Sequence, residues 1–179
     1  MAITITEALA EIKTIQKRME KKREFVSAFL ARQDGIKDPL EKEGGSFQAI
    51  ARERQGVGDL EARVVAIRRG IQRANDQTTI TLNGTTRSIA DWLVWRRDVA
   101  PGQQQFLGQL RQKLNGVRDQ ARKNGASIIA ATAVADKPTD FIVNINEQDL
   151  AKEIETLEET LGQLDGQLSL KNATVAIAE

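Results

Sequence analysis

The side chains that could do acid–base or nucleophilic chemistry in this sequence are carboxylates, hydroxyls and amines, because its 179 residues include neither His nor Cys. That composition excludes disulfides, thiol nucleophiles, zinc sites built on Cys or His, and His-dependent catalytic triads. A Ser nucleophile would then need a Lys or an N-terminal amine as its base, and no recognisable spacing supplies one. The hydroxyls therefore point to no enzyme class.

Carboxylates occur as close pairs in the C-terminal part of the chain, Glu153 with Glu155 and Glu158 with Glu159. On a helix, residues one or two positions apart do not face each other. The pairs therefore support neither glycosidase-type nor two-metal chemistry. We expect a non-enzymatic protein with no catalytic residue, no cofactor and no metal.

Two pairs of adjacent arginines are the candidate contacts for nucleic acid or an acidic partner: Arg68, Arg69, Arg96 and Arg97. Adjacent residues on a helix point about 100° apart, so the pairs do not form a continuous stripe along a phosphate backbone. Residues 52–123 hold fourteen Lys or Arg against seven Asp or Glu, whereas residues 147–170 hold seven acidic residues and one Lys. Pairing of these segments within or between subunits is the simplest use, and DNA contact is the alternative.

Helices must position most of these side chains, because apolar residues recur at helical spacing and aromatic residues make up only 4% of the chain. The pattern predicts a first helix from about Thr6, its N-cap, to Gln33. A second helix is predicted over residues 46–75, with its first residue, a Ser, as the cap. Gly56 and Gly58 should weaken or bend it, at about 1 kcal/mol each.

The middle of the chain combines a strand signal with a third helix. Residues 78–87 are rich in Thr and Ile and contain an Asn-Gly turn, which predicts a β-hairpin. Ser88 begins a capping box for the helix that follows, and Pro101 predicts a kink or break near the residue before it. Trp92 and Trp95 are three positions apart and share a helix face, so we expect them to anchor the core or a subunit contact.

The last predicted helix has a strict heptad pattern. Residues 127–145, which precede it, lose the helical period and predict an extended arm or a second small β-element. The heptad positions predict a coiled-coil helix over residues 147–171 that needs a partner. We expect these positions to form an oligomer interface: Leu150, Ile154, Leu157, Leu161, Leu164 and Leu168.

Together these elements predict a mainly α fold, an elongated helical bundle of antiparallel hairpins with a β-hairpin near residues 78–87. The predicted domains follow the same breaks. Residues 1–124 form a helical domain, residues 125–146 an arm or small β-element, and residues 147–171 the coiled-coil helix. Residues 172–179 are expected to form an extended or frayed tail.

Three segments resemble the septicolysin-like family of small helical bacterial proteins. They are residues 7–18, residues 71–75 with the following Thr79, and residues 82–98, which end in Arg-Arg-Asp; Asp38-Pro39 matches the turn between them. The resemblance covers roughly residues 5–115. It implies a helical oligomer and supplies no catalytic residue. The last 60 residues depart from the family pattern and look like the assembly elements of phage particles, which is an argument by analogy.

We therefore expect a structural or assembly protein that binds itself and other structural proteins, and within that class we favour a bacteriophage virion component of the head or tail. The alternatives are a nucleic-acid-associated helical protein and a septicolysin-like bacterial oligomer. No apolar run reaches the roughly 20 residues that span a bilayer, and the N-terminus does not resemble a signal peptide, so we expect no membrane partner. The expected location is the virion if a phage encodes the chain, and otherwise the cytoplasm.

Overall fold

The computed structural model describes residues 2–131, 133 and 137–177. Its contacts divide the chain into two compact units, unit 1 with residues 1–78 and 168–179, and unit 2 with residues 79–167. Both units are built from long helices and short strand pairs, which confirms the predicted mainly α fold. The predicted domain boundary at residue 124 does not coincide with either unit, because the last helix packs partly within unit 2 and ends in unit 1.

Unit 1 is a helical hairpin. Helix α1 (Ile5–Ala28) and helix α2 (Ser46–Gln77) run antiparallel and are joined by a loop that contains a short 3-10 helix, Glu41–Glu43. Ion pairs such as Lys22 with Glu53, at 2.7 Å, tie the two helices together. The core between them is aliphatic and consists of Ile5, Ala8, Ile12, Ile15, Ile67, Ile71, Ala74 and Ile177.

A capping box at Thr4 begins α1. The Thr4 hydroxyl accepts a hydrogen bond from the Glu7 N–H at 3.2 Å, and the Glu7 carboxylate accepts from the Thr4 N–H at 2.8 Å. The predicted N-cap at Thr6 is therefore wrong, because the Thr-x-x-Glu spacing that satisfies both N–H groups starts at residue 4. The helix also ends at Ala28, short of the predicted Gln33.

Asp38, in the loop that precedes α2, caps the start of this helix. Its carboxylate accepts hydrogen bonds from the hydroxyl of Ser46 at 2.6 Å, from the N–H of Ser46 at 2.8 Å and from the N–H of Leu40 at 2.9 Å. These bonds, led by that from the Ser46 hydroxyl, lower the pKa of Asp38 to about 2. Ser46 is therefore a donor to a remote carboxylate, rather than the N-cap that was predicted.

Helix α2 is continuous over 32 residues, so Gly56 and Gly58 do not break it. A Cβ atom on Gly56 would lie 3.1 Å from Nζ of Lys22, so the missing side chain gives that lysine room beside α2. The helix tolerates Gly56 and Gly58 because packing against α1 outweighs a propensity loss of about 1 kcal/mol per Gly.

The two ends of the described chain pair in unit 1. Strand β1 (Ile3–Thr4) pairs antiparallel with strand β6 (Ala176–Ile177), with Ile3 opposite Ile177. In the tail predicted to be extended or frayed, residues 172–174 are helical, whereas Ala176–Ile177 form this extended strand. It is held because Ile177 is buried in the hairpin core; residues 178 and 179 lie outside the described residues.

Unit 2 begins with the predicted β-hairpin. Strands β2 (Thr79–Leu82) and β3 (Thr85–Ser88) pair antiparallel. Positive φ angles at Asn83 (46°) and Gly84 (77°) form the predicted tight turn.

Helix α3 (Ile89–Val94), a π-helical turn (Trp95–Val99) and helix α4 (Ala100–Asn124) follow without a gap. The break predicted near Pro101 takes the form of the wider π turn, because the proline ring cannot fit against the carbonyl of residue 97 in regular α geometry.

The rest of unit 2 contains a second strand pair and most of the last helix. Strands β4 (Ile128–Ala130) and β5 (Phe141–Val143) pair in parallel and form the small β-element that was one of the two predictions for residues 127–145. Residues 132 and 134–136 of that segment lie outside the described residues. Helix α5 (Glu147–Thr174) follows, and the side-chain oxygen of Asn146 caps its start by accepting a hydrogen bond from the N–H of residue 148 at 2.9 Å.

Candidate functional site

Helix α4 and residues 147–167 of α5 form an antiparallel helical hairpin in unit 2, which we call the α4–α5 hairpin. Arg118 forms an ion pair with Glu147 at one end. At the other end, Arg96 Nη1 lies 2.7 Å from Asp165 Oδ1. The hairpin therefore has a fixed helix direction and register, as the predicted pairing of basic and acidic segments requires.

The predicted leucine seam is partly covered by the chain itself. Leu150, Leu164 and Leu168 are buried, and Leu164 has 0% of its surface exposed. The prediction that these three lie in an oligomer interface is corrected, because a heptad pattern shows that a face is covered without showing which chain covers it. The other three seam residues are half-buried: Ile154, Leu157 and Leu161.

One side of the hairpin opens into a groove of about 590 Å³ that we call the aromatic groove. The β2–β3 hairpin, α3, the π turn, α4 and α5 all contribute to its walls. Its apolar lining includes Trp92, Trp95, Phe106, Leu107 and Leu157. Phe106 is 59% exposed, so a large aromatic surface in this groove is in contact with water.

The side chain of Trp92 is held in place in the aromatic groove by its contacts. Its indole N–H donates to the backbone carbonyl of Ile80 at 3.0 Å, and the Arg87 guanidinium lies 5.0 Å from the centre of its ring. Trp95 contacts it edge-on, with ring centroids 5.4 Å apart. The two tryptophans thus share a face, and Trp92 is buried in unit 2, whereas Trp95 is half-buried at the wall of the groove.

A second opening, the hairpin groove, lies along α4 and α5. It consists of cavities of about 460 and 170 Å³ that share Arg111 and Ile154 in their lining. Apolar side chains form its floor, and charged residues of opposite sign form its two rims. The floor contains Leu107, Leu114, Leu150, Ile154 and Leu157, and the rims contain Arg111 and Arg118 on α4 and Glu147 and Glu158 on α5.

Helix α4 has two apolar faces, which were not predicted from the sequence. One face, with Leu107, is buried, whereas the other remains exposed or half-buried. The signal was the width of the apolar stripe, because the outer residues recur at spacings of seven, four and seven, as in a helix that contacts a partner. These outer residues are Val99, which ends the π turn, and Phe106, Leu110 and Val117 of α4.

The four candidate arginines belong to different units. Arg68 and Arg69 are exposed on α2 in unit 1, whereas the other two lie on the π turn of unit 2. Arg96 is already paired with an aspartate, and the guanidinium of Arg97 donates two hydrogen bonds of 2.7 Å to Asp98, which lower the pKa of that carboxyl. Two of the four arginines are thus engaged by carboxylates of the same unit.

The carboxylate pairs of α5 do not converge either. Glu153 lines the aromatic groove and Glu158 lines the hairpin groove, while Glu155 and Glu159 are exposed. Within residues 2–131, 133 and 137–177, no three carboxylates lie close enough together to hold a metal ion. In the same ranges, the helices that have the length to cross a membrane lack the apolar composition for it.

Comparison with known proteins gives one finding, and it concerns the fold. No protein-family model matches the chain, and no curated protein matches it. A crystal structure of a functionally unknown conserved protein from Corynebacterium diphtheriae is similar over 99% of this chain and 100% of that one, with 16% sequence identity and a TM-score of 0.54. This chain therefore shares an overall fold with a protein that has no described activity.

Proposed function

We propose that this chain is a non-enzymatic structural protein that assembles by packing helices against further copies of itself and against other structural proteins. One observation carries the proposal: the α4–α5 hairpin of unit 2 is only two helices wide and leaves grooves with apolar linings along its length. In a helical bundle, such surfaces are covered by neighbouring helices.

The energetic reason is the cost of exposed apolar surface. Covering a large aliphatic or aromatic side chain stabilises a contact by about 1.5–3 kcal/mol. The half-buried seam residues Ile154, Leu157 and Leu161 and the exposed Phe106 are therefore the side chains from which a helical partner would gain most. Aromatic side chains that fill pockets in this way commonly dominate protein interfaces.

The finer proposal is that the assembly is a phage particle, with the chain in its head or tail. It is supported by the resemblance of residues 5–115 to a helical oligomeric family and by the added C-terminal segment with its helical seam. Co-sedimentation of the chain with purified particles in a fixed molar ratio is the expected result. A chain that is present in infected cells and absent from particles would contradict it.

Native mass tests the general proposal. Light scattering across a range of protein concentrations should give a mass above that of the 19.8 kDa chain. Leu161→Asp should lower that mass, because it places a charge on a half-buried seam position. The matched control is Leu30→Asp in unit 1, where the leucine is 72% exposed.

Circular dichroism checks that both variants keep their helices, so that a lower mass reports association alone. A wild-type chain that stays monomeric at every concentration would reject self-assembly. An equal loss of mass in both variants would show that the seam is not the contact.

A further inference from the structure

We propose that a second copy of this chain covers the hairpin groove, with α4 of each copy lying over α5 of the other around a two-fold axis parallel to the helices. The inference rests on the proposed self-assembly and specifies its geometry. The result is a four-helix bundle made from two α4–α5 hairpins.

The face of the α4–α5 hairpin that carries this groove is large enough for a dimer interface. Residues 147–167 form about 31 Å of helix, and two adjacent helices are roughly 20 Å wide. The covered face is then about 600 Å² per copy, or about 1,200 Å² in total, which reaches the lower end of stable protein interfaces. The floor of the groove is apolar, with Leu114, Ile154 and Leu157 half-buried, as expected for the centre of such a contact.

The charges on the two helices are opposite and strongly biased. Helix α4 carries five Lys or Arg and one Asp, whereas residues 147–167 carry seven Asp or Glu and one Lys. Within the described chain, the ion pair between these two helices is that of Arg118 with Glu147. Most of the charge on each helix is therefore available to a partner.

Charge complementarity selects the symmetry. Two hairpins can stack with α4 on α4 and α5 on α5, which brings like charges together, or with α4 on α5, which brings opposite charges together. A two-fold axis parallel to the helices produces the second arrangement and keeps each facing pair antiparallel. It places Arg111 of one copy near Glu155 and Glu158 of the second copy, because residues 111 and 154 lie at the same level in the hairpin groove.

Site-directed cross-linking tests the arrangement, since the chain has no Cys of its own. Gln104 and Glu158 are exposed and line the same cavity, on α4 and α5 respectively. A tagged Gln104→Cys chain and an untagged Glu158→Cys chain are coexpressed and treated with a short bis-maleimide. The mixed product should exceed the share that random pairing gives. A predominance of the two homotypic products would overturn the proposed symmetry.

Charge reversal gives an independent readout in the full chain. Arg111→Glu should raise the dimer dissociation constant roughly tenfold. It places like charges together, and the two-fold axis makes this unfavourable contact occur at two places in the dimer. Adding Glu158→Arg should restore association. Arg69→Glu on the exposed surface of α2 is the matched control and should leave the dissociation constant unchanged.

The two proposals fail in different ways. A monomeric wild-type chain rejects self-assembly and this dimer together. A wild-type oligomer that ignores Arg111→Glu and forms no mixed cross-link keeps the assembly function and rejects this interface.

Discussion

The carboxylate of Asp38 caps the start of α2 by accepting hydrogen bonds there, a role that a residue next to the helix has in most helices. It accepts from Ser46, which is eight residues further along the chain, through both the hydroxyl and the backbone N–H. The sequence predicted that the second helix starts at this serine, but it did not reveal the remote acceptor, because capping rules describe residues within one turn of the helix start.

Asp38→Asn should destabilise the chain at neutral pH and should do so less as the pH falls. The folded protein lowers the pKa of Asp38 from its ordinary 3.8 to about 2. A group with a lowered pKa contributes stability above its unfolded value, and that contribution is lost as the pH falls from about 4 through 2. Urea unfolding of both proteins from pH 7 to pH 2 checks this.

Asp34→Asn, an exposed change in the same loop, is the control for charge alone. If the difference between wild type and Asp38→Asn were constant with pH, the carboxylate would not be the group that holds the start of α2.

At the scale of elements, the sequence predicted those whose pattern is local. The β-hairpin followed from its Asn-Gly turn, and the helices followed from apolar residues at regular spacing. The continuity of α2 could not be predicted in this way, because it depends on packing against α1. The side chain of Lys22 on α1 lies next to Gly56 only when the two helices are packed together. Propensity is a local quantity, whereas this contact joins residues far apart in the chain.

Gly56 and Gly58 of α2 provide a matched pair of substitutions. Gly58→Ala should raise the free energy of unfolding by about 0.5–1 kcal/mol, because alanine favours the helix. A Cβ there meets no atom within 4 Å. Gly56→Ala should gain less, since its Cβ would displace Lys22, which pairs with Glu53. Denaturant unfolding of both variants measures the difference, and equal gains would mean that the lysine moves at no cost.

At the scale of the whole molecule, the sequence predicted covered helical faces but not what covers them. The leucine seam of α5 was expected to lie between subunits, and the structure buries Leu164 within the chain. The division of the chain was missed for a related reason. Unit 1 combines the first 78 residues with the last twelve, and no local pattern indicates that segments so far apart will meet.

The C-terminal segment should therefore be a structural part of unit 1. Ile177 is 1% exposed and belongs to the aliphatic core, and the Val175 carbonyl accepts from the Ile5 N–H at 3.1 Å. Ile177→Ala should lower the free energy of unfolding by about 2–4 kcal/mol, because it leaves a cavity in a packed core. Ile142→Ala, which removes the same atoms from a side chain that is 54% exposed, should cost less than about 1 kcal/mol. Denaturant unfolding compares the two variants, and similar small losses would mean that β6 does not hold unit 1 together.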